Sequence, residues 1–288
     1  MTTAETKVGH ALTPLASLRK AGAETHAGMG AIPHDRGVAF RVWAPFARSV
    51  HVAGSFNDWS ATQHALYDEG RGYWYANFST AHIGDQYKYV IVNRDTGQVY
   101  WRRDPYAREV TNSAGASVVA DPHFAWTDHE YLTPSWNELV IYEVHIGTAV
   151  VHPPETPDAW TQRTALTDDD APAAFVTPGT FHTTIKALPY LRDLGVNAIQ
   201  IMPSNEFAGD VSWGYNPADI FAIESAYGGP HAFKEYVNAV HAHGMIVILD
   251  VVYNHFGPSD LDLWQFDGWS EHGQGGIYFF NDWRAKTP

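Results

Sequence analysis

Two textures divide the apolar and polar positions of this chain. From Gly37 onward they alternate in short runs. Val38-Ala39-Phe40-Arg41-Val42-Trp43 reads as a half-buried strand closed by Pro45. Ser49 to Ala53, Tyr73 to Phe78, Gln86 to Val92 and Val99 to Trp101 read as further strands. Gly54-Ser55-Phe56-Asn57-Asp58-Trp59 and Asp95-Thr96-Gly97 supply the turns. Short strands at regular spacing predict an immunoglobulin-like β-sandwich over residues 37–122. Later the pattern changes to continuous apolar runs, Leu139 to Gly147, Ala198 to Pro203 and Met245 to Val251. A strand that is apolar on both faces is one buried in a parallel sheet. Between these runs lie helical spacings. One covers Thr180 to Leu194, with Ile185, Leu188, Leu191 and Leu194 on one face, and the other covers Pro230 to His243, with Phe233, Tyr236, Val237 and Val240. Gly195 and Gly244 stop them. Strand, helix, strand, helix, strand predicts consecutive βα units over 136–288.

The remaining stretches are less regular. Residues 1–36 form an extension, with a short candidate helix from Thr13 to Lys20 that begins Thr13-Pro14. Residues 151–178, with several prolines and the run Asp168-Asp169-Asp170, read as a long loop insertion. Ser212 to Pro217 reads as a loop.

Composition narrows the possible functions. A hydrophobic content of 45% supports a large core, while 11 Trp and 15 Tyr offer flat rings that suit either sugar faces or core filling. A net charge of −14 argues against nucleic acid or an anionic membrane surface as partner. The chain has no Cys, which excludes disulfides and thiolate metal sites. With no apolar run at the N-terminus suited to a signal peptide and none approaching a membrane span, the expectation is a soluble, cytoplasmic protein. Candidate chemistry gathers at the end of the Met245 run, where Asp250, Asn254 and His255 follow one another within six positions. Strand C-terminal ends carry the ligands of parallel α/β folds. The alternative is a core strand that simply ends in polar residues.

Specific motifs carry two family resemblances. Phe40-Arg41-Val42-Trp43-Ala44-Pro45, Gly54-Ser55-Phe56-Asn57-Asp58-Trp59, Tyr87-Lys88-Tyr89 and Asp104-Pro105-Tyr106 resemble a family 48 carbohydrate-binding module over roughly 37 to 122. The resemblance implies a sugar platform formed by Trp59, Lys88 and Trp101. A family Asn near the module's end has no counterpart among Ser113 to Val119. Alternatively, Trp59 packs under its own turn and Lys88 is a solvated charge.

Asp250-Val251-Val252-Tyr253-Asn254-His255 resembles the first signature region of the alpha-amylase superfamily, glycoside hydrolase family 13. Tyr142-Glu143-Val144-His145-Ile146-Gly147, Leu194 to Pro203, and Trp213-Gly214-Tyr215-Asn216-Pro217 with Tyr227-Gly228 agree with it. Together with the sandwich they point to the branching-enzyme and trehalohydrolase-like branch, acting on α-glucans such as glycogen or starch. The implied fold is a (β/α)₈ TIM barrel, of which three βα units are present. By resemblance, Tyr215 stacks under the sugar beside the scissile bond, His255 binds that sugar's 6-hydroxyl and Asp250 holds the network. Asn254 matches a position that ligates calcium in many amylases, but the branching branch often lacks the ion, so neither a metal nor a cofactor is expected.

Retaining chemistry at a glucosidic bond needs two carboxyl groups about 5–5.5 Å apart. The family's nucleophile lies in a Gly-x-Arg-x-Asp motif, which does not occur here; Phe266-Asp267-Gly268-Trp269-Ser270 lacks Arg and Asp at the required offsets. The expectation is therefore the front part of an enzyme that is truncated before its catalytic carboxylates and inactive alone. A non-catalytic glucan-binding protein, or a debranching or trehalose-releasing relative, is the alternative.

Overall fold

The computed structural model describes residues 25–149, 179–209, 211–257 and 261–282. The candidate helix Thr13–Lys20 and the insertion 151–178 lie outside them. The described chain forms two compact units. The first comprises residues 25–106, Ser117–Val119 and 262–282; the second comprises Ala107–Ala116 and the described parts of 120–261.

In the first unit the strands are β1 (Gly30–His34), β2 (Gly37–Trp43), β3 (Ala47–Gly54), β4 (Tyr67–Gly70), β5 (Tyr73–Phe78), β6 (Gln86–Asn93), β7 (Val99–Arg102) and β8 (Ser117–Val118). They pair antiparallel in two sheets. One has the order β1-β2-β5-β4 and the other β3-β6-β7, with β8 on β6. Inward residues of the two sheets meet as a β-sandwich, with Phe40 of β2 edge-on to Tyr87 of β6 at 5.0 Å. The polar side of β2 is covered as well. Arg41 makes a two-pronged ion pair with Glu69 at 2.8 and 3.0 Å, donates to the carbonyls of His26 and Gly28 and lies over the Tyr75 ring. Beneath the strands Asp104 is buried, accepting from Tyr87 Oη at 2.6 Å, Tyr89 Oη at 3.2 Å and the Tyr106 amide at 2.9 Å.

The sandwich takes in more chain than its alternation reveals. β1 pairs with β2 from inside the stretch read as an extension. Residues 262–282, read with the second domain, pack in the first unit through anchors without periodicity. Trp269 stacks on Phe46 at 4.5 Å. The Asp267 carboxylate accepts from the Phe46 and Trp269 amides, and Arg102 donates to the carbonyls of Trp264, Gln265 and Phe266. Asp267 is thus a buried cap in the sandwich unit.

The second unit contains β9 (Ile141–Val144), α1 (Ile146–Ala149), α2 (Phe181–Ile185), α3 (Leu188–Asp193), β10 (Ala198–Ile201), β11 (Asn205–Phe207), β12 (Pro217–Ile223), α4 (Gly229–Ala242) and β13 (Ile246–Leu249). β9, β10 and β13 form a parallel sheet with β10 in the middle. Val144, Ile199 and Ile201 pack with Phe181, Leu188, Tyr236 and Val240 in one apolar core. The single helix expected from Thr180 to Leu194 is corrected to two. Thr180 caps the first in a reciprocal box with Thr183. Pro189, at the start of the second, has no N–H and its ring would meet the Ile185 carbonyl, so one helix cannot run through.

The antiparallel ribbon β11–β12 was not expected from the sequence. It is short, carries two register shifts and buries polar residues. Among these, Glu206 is pushed up to about 8, first by burial and then by the neighbouring Glu224. Ser225 donates to it from its amide at 2.8 Å and from its hydroxyl at 3.3 Å. Because the folded-state value lies above the ordinary one, the protonated carboxyl stabilises the fold fully at acid pH, and that contribution is lost as pH rises through about 8. The neutral variant Glu206→Gln removes the titration. Its melting temperature should gain on the parent's by several degrees between about pH 5 and about pH 9, as read by circular dichroism. A constant difference across that range would show that Glu206 does not titrate there.

β9 and β13 are the edges of the parallel sheet among the described residues, and Ile141 and Leu249 on them are 47% and 38% exposed. Unpaired apolar edges template further strand pairing. The chain should therefore self-associate as concentration rises in light scattering, and Ile141→Lys should suppress it. A parent that stays monomeric throughout would show that these edges are covered.

Candidate active site

Successive side chains of a strand point to opposite faces. In the parallel sheet one face, with Val144, Ile199, Ile201 and Val247, is spent on the helices. The other face therefore presents Glu143, Gln200 and Ile248, which the register places abreast. Gln200 Nε2 donates to Glu143 Oε1 at 3.1 Å. One residue past β13, the Asp250 amide still donates to the Ile201 carbonyl at 3.1 Å, so the Asp250 carboxylate leaves the sheet on that same face. Tyr215 Oη donates to Asp250 Oδ2 at 3.1 Å. The phenol is raised above its ordinary value by desolvation, then by Asp250, then by Glu143, so it stays a donor. Tyr215 is 39% exposed, with the polar tip of its ring anchored on Asp250.

The loop bearing Tyr215 is tightly built. Gly214 sits at φ +86, and a Cβ there would come within 1.8 Å of the Pro203 carbonyl oxygen, so only glycine fits. Ser212 Oγ donates to Asn216 Oδ1 and accepts from the Gly214 amide. His255 Nε2 lies 2.6 Å from the Tyr215 carbonyl, which can only accept, so this nitrogen carries the proton. Asn254 Nδ2 donates to the other ring nitrogen at 2.9 Å. In this state His255 and Asn254 serve the loop backbone and each other, and a sugar hydroxyl would have to compete for the imidazole. Among the described residues no group of three or more His, Asp or Glu is placed to hold a metal ion. The four residues singled out from sequence therefore lie together, with Asp250 and His255 both touching Tyr215. Glu143, Gln200 and His145 were not singled out, although Glu143 and His145 lie at the end of the first buried strand, the same position that drew attention to Asp250, and Gln200 lies beside Glu143 on the second.

Trp59, Lys88 and Trp101 belong to the sandwich. Tyr87, Tyr89 and Ile91 of β6 point inward and are fully buried. Lys88 and Val90 point outward, and Trp101 pairs with Val90, which puts its ring on the Lys88 face. Asp58 and Trp59 are both left-handed, at φ 52 and φ 57. That conformation costs a bulky residue roughly 1–2 kcal/mol. The turn is held by the Trp59 amide to the Gly54 carbonyl at 2.9 Å and by Asn57, which bonds Gly54, Val52 and His64. It leaves Trp59 38% exposed rather than packed beneath the turn. A separate groove of about 940 Å³ lies against α2 and α4, lined by Phe124, His182, His231, Glu235 and Asn238.

Known proteins match both regions of the chain. The model of carbohydrate-binding module 48 (isoamylase N-terminal domain) matches residues 28–107, and that of the alpha amylase catalytic domain matches residues 119–268. A malto-oligosyltrehalose trehalohydrolase from Saccharolobus solfataricus is 35% identical over 228 residues, 78% of this chain and 34% of that protein. A 1,4-alpha-glucan branching enzyme GlgB from Prochlorococcus marinus subsp. pastoris is 33% identical over 274 residues, 88% of this chain and 36% of that enzyme. Among solved structures, an alpha amylase from Salmonella typhimurium superposes with a TM-score of 0.64 at 30% identity, covering 83% of this chain and 35% of that one. The catalytic module of the glycogen-degrading pneumococcal virulence factor SpuA gives 0.61 at 25% identity, covering 85% and 40%. The chain spans about a third of the length of the curated relatives it matches. With a family model matched over half its length and the sandwich ahead of it, the chain belongs to the alpha-amylase family and carries an N-terminal carbohydrate-binding module 48.

Proposed function

We propose that this chain is the glucan-binding front part of a 1,4-alpha-glucan branching-enzyme-like glucanotransferase. The observation that carries the reading is the contact of Tyr215 with Asp250 at the C-terminal edge of the parallel sheet, where two carboxylates and an exposed phenol ring meet. In the retaining double displacement that this family resemblance implies, one carboxylate forms a covalent glucosyl intermediate and a carboxylic acid protonates the leaving oxygen. Tyr215 would hold the sugar beside the scissile bond, Asp250 would keep the phenol oriented, and His255 would exchange its bond to the Tyr215 carbonyl for a sugar hydroxyl. The trehalohydrolase reading is favoured by the 35% identity to that relative; the branching reading is favoured by the greater share of this chain matched.

Since no Gly-x-Arg-x-Asp nucleophile motif is present, the chain by itself should show no turnover of amylose by iodine staining or by release of reducing sugar. Turnover that disappears in Asp250→Asn would establish a catalytic centre in this chain instead.

The sandwich should bind α-glucan through Trp59, Lys88 and Trp101, of which Lys88 and Trp101 lie on one face of their sheet. Affinity will be modest, because two rings on an open surface leave little after the cost of association. Trp59→Ala should weaken retardation in glycogen-containing gels roughly ten-fold, or about 1.4 kcal/mol. Unaltered retardation would make the turn structural and move the binding elsewhere.

A further inference from the structure

His145 immediately follows β9, and its ring is half-buried beside the loop that carries Tyr215. Nε2 lies 2.7 Å from the Ser212 carbonyl and 3.2 Å from Tyr227 Oη, and Nδ1 lies 3.1 Å from Thr148 Oγ1. A carbonyl can only accept, so the proton resides on Nε2 and Nδ1 is left to accept from the Thr148 hydroxyl. The far side of this contact is rigid. Tyr227 is 2% exposed and sits edge-on to His145, Phe181 and Phe207. The approach is close enough that a Cβ on Gly147 would lie 2.9 Å from Tyr227 Oη and 3.0 Å from His145 Cε1. The near side is open, with Trp213 75% and Tyr215 39% exposed. Ser212 and Tyr215 bracket the loop, and each presents its carbonyl to an imidazole, His145 at one end and His255 at the other.

We propose that His145 is a positioning residue for the α-glucan site: it ties the Ser212 carbonyl to the core and so sets the loop that presents Tyr215 beside Asp250. This role rests on the sugar-binding reading of the Tyr215 cluster. The physical gain is preorganisation. A loop already held in place does not have to be ordered when the sugar arrives, so that entropy is not charged against binding. His255 cannot substitute, because it holds the other end of the loop and must release the Tyr215 carbonyl to reach a sugar.

Two measurements on the full chain test the role. In hydrogen exchange, His145→Ala should speed amide exchange of residues 212–216 about ten-fold or more while β10 and α4 keep their rates. His145→Gln, whose amide can donate to the same carbonyl, should restore them. Unchanged loop exchange, or acceleration spread through β10 and α4, would overturn the proposal. The second measurement is maltoheptaose affinity by calorimetry, in chains also carrying Trp59→Ala and Trp101→Ala so that the sandwich does not contribute. His145→Ala should weaken binding several-fold when Tyr215 is present and have no further effect in Tyr215→Ala, the non-additivity expected of a residue that acts through another. Additive losses would overturn it. If loop exchange responds as expected but the Tyr215 chain binds no maltoheptaose, the α-glucan reading of the cluster fails, and the positioning role fails with it.

Discussion

Parallel pairing of β10 with β9 on one side and β13 on the other is the constraint on which the candidate site depends. The register sets Ile199 and Ile201 toward the helical core and leaves Gln200 flanked by Glu143 and Ile248 on the opposite face. A slip of one residue would send the polar side chains into the apolar core and turn the isoleucines outward. The core formed by Phe181, Leu188, Tyr236 and Val240 therefore enforces the register, and the register delivers Asp250 to the face where Tyr215 waits. Packing on one side of the sheet thus decides chemistry on the other.

The carboxylates of this unit are handled in two ways. Asp250 and Glu143 at the open face are answered by donors, the Tyr215 phenol and the Gln200 amide. Glu206, sealed beside Glu224 and pushed up to about 8, is accommodated by keeping its proton. The same contrast recurs in the sandwich, where Asp104 is fully enclosed and pushed up to about 6 by burial even though Tyr87, Tyr89 and the Tyr106 amide favour its charge. Glu206 and Asp104 thus organise backbone and phenols from inside, while Asp250 and Glu143 stand at the open face of the sheet.

Both candidate binding surfaces depend on backbone that is held in costly or crowded geometry. The Trp59 turn places two successive non-glycine residues in the left-handed region, and Asn57 holds it there with three hydrogen bonds. The Tyr215 loop turns at Gly214 against the Pro203 carbonyl and is pinned at both ends by imidazoles. In each case side-chain hydrogen bonds fix the backbone that carries the aromatic ring. Such overdetermined local strain is found where a surface must be ready before its ligand arrives.

Periodicity by itself determined much of the architecture. Alternation over Gly37 to Trp101 identified β2, β3, β5, β6 and β7 of the sandwich but not β4 or β8, and the continuous apolar runs at Ile141, Ala198 and Ile246 identified the parallel sheet and hence the end where Asp250 had to emerge. These readings succeed because burial on one face or two writes directly into the residue pattern. The tertiary structure alone decided the rest. β1 and residues 262–282 join the sandwich through single contacts distant in sequence, such as Trp269 on Phe46 and Asp267 on the Phe46 amide, which leave no local period. The break between α2 and α3 depended on Pro189 outweighing an unbroken apolar face. The engagement of His255 with the Tyr215 carbonyl and of His145 with the Ser212 carbonyl was invisible for the same reason. A backbone oxygen has no identity in the sequence, and which imidazole meets it is set by where the loop closes in space.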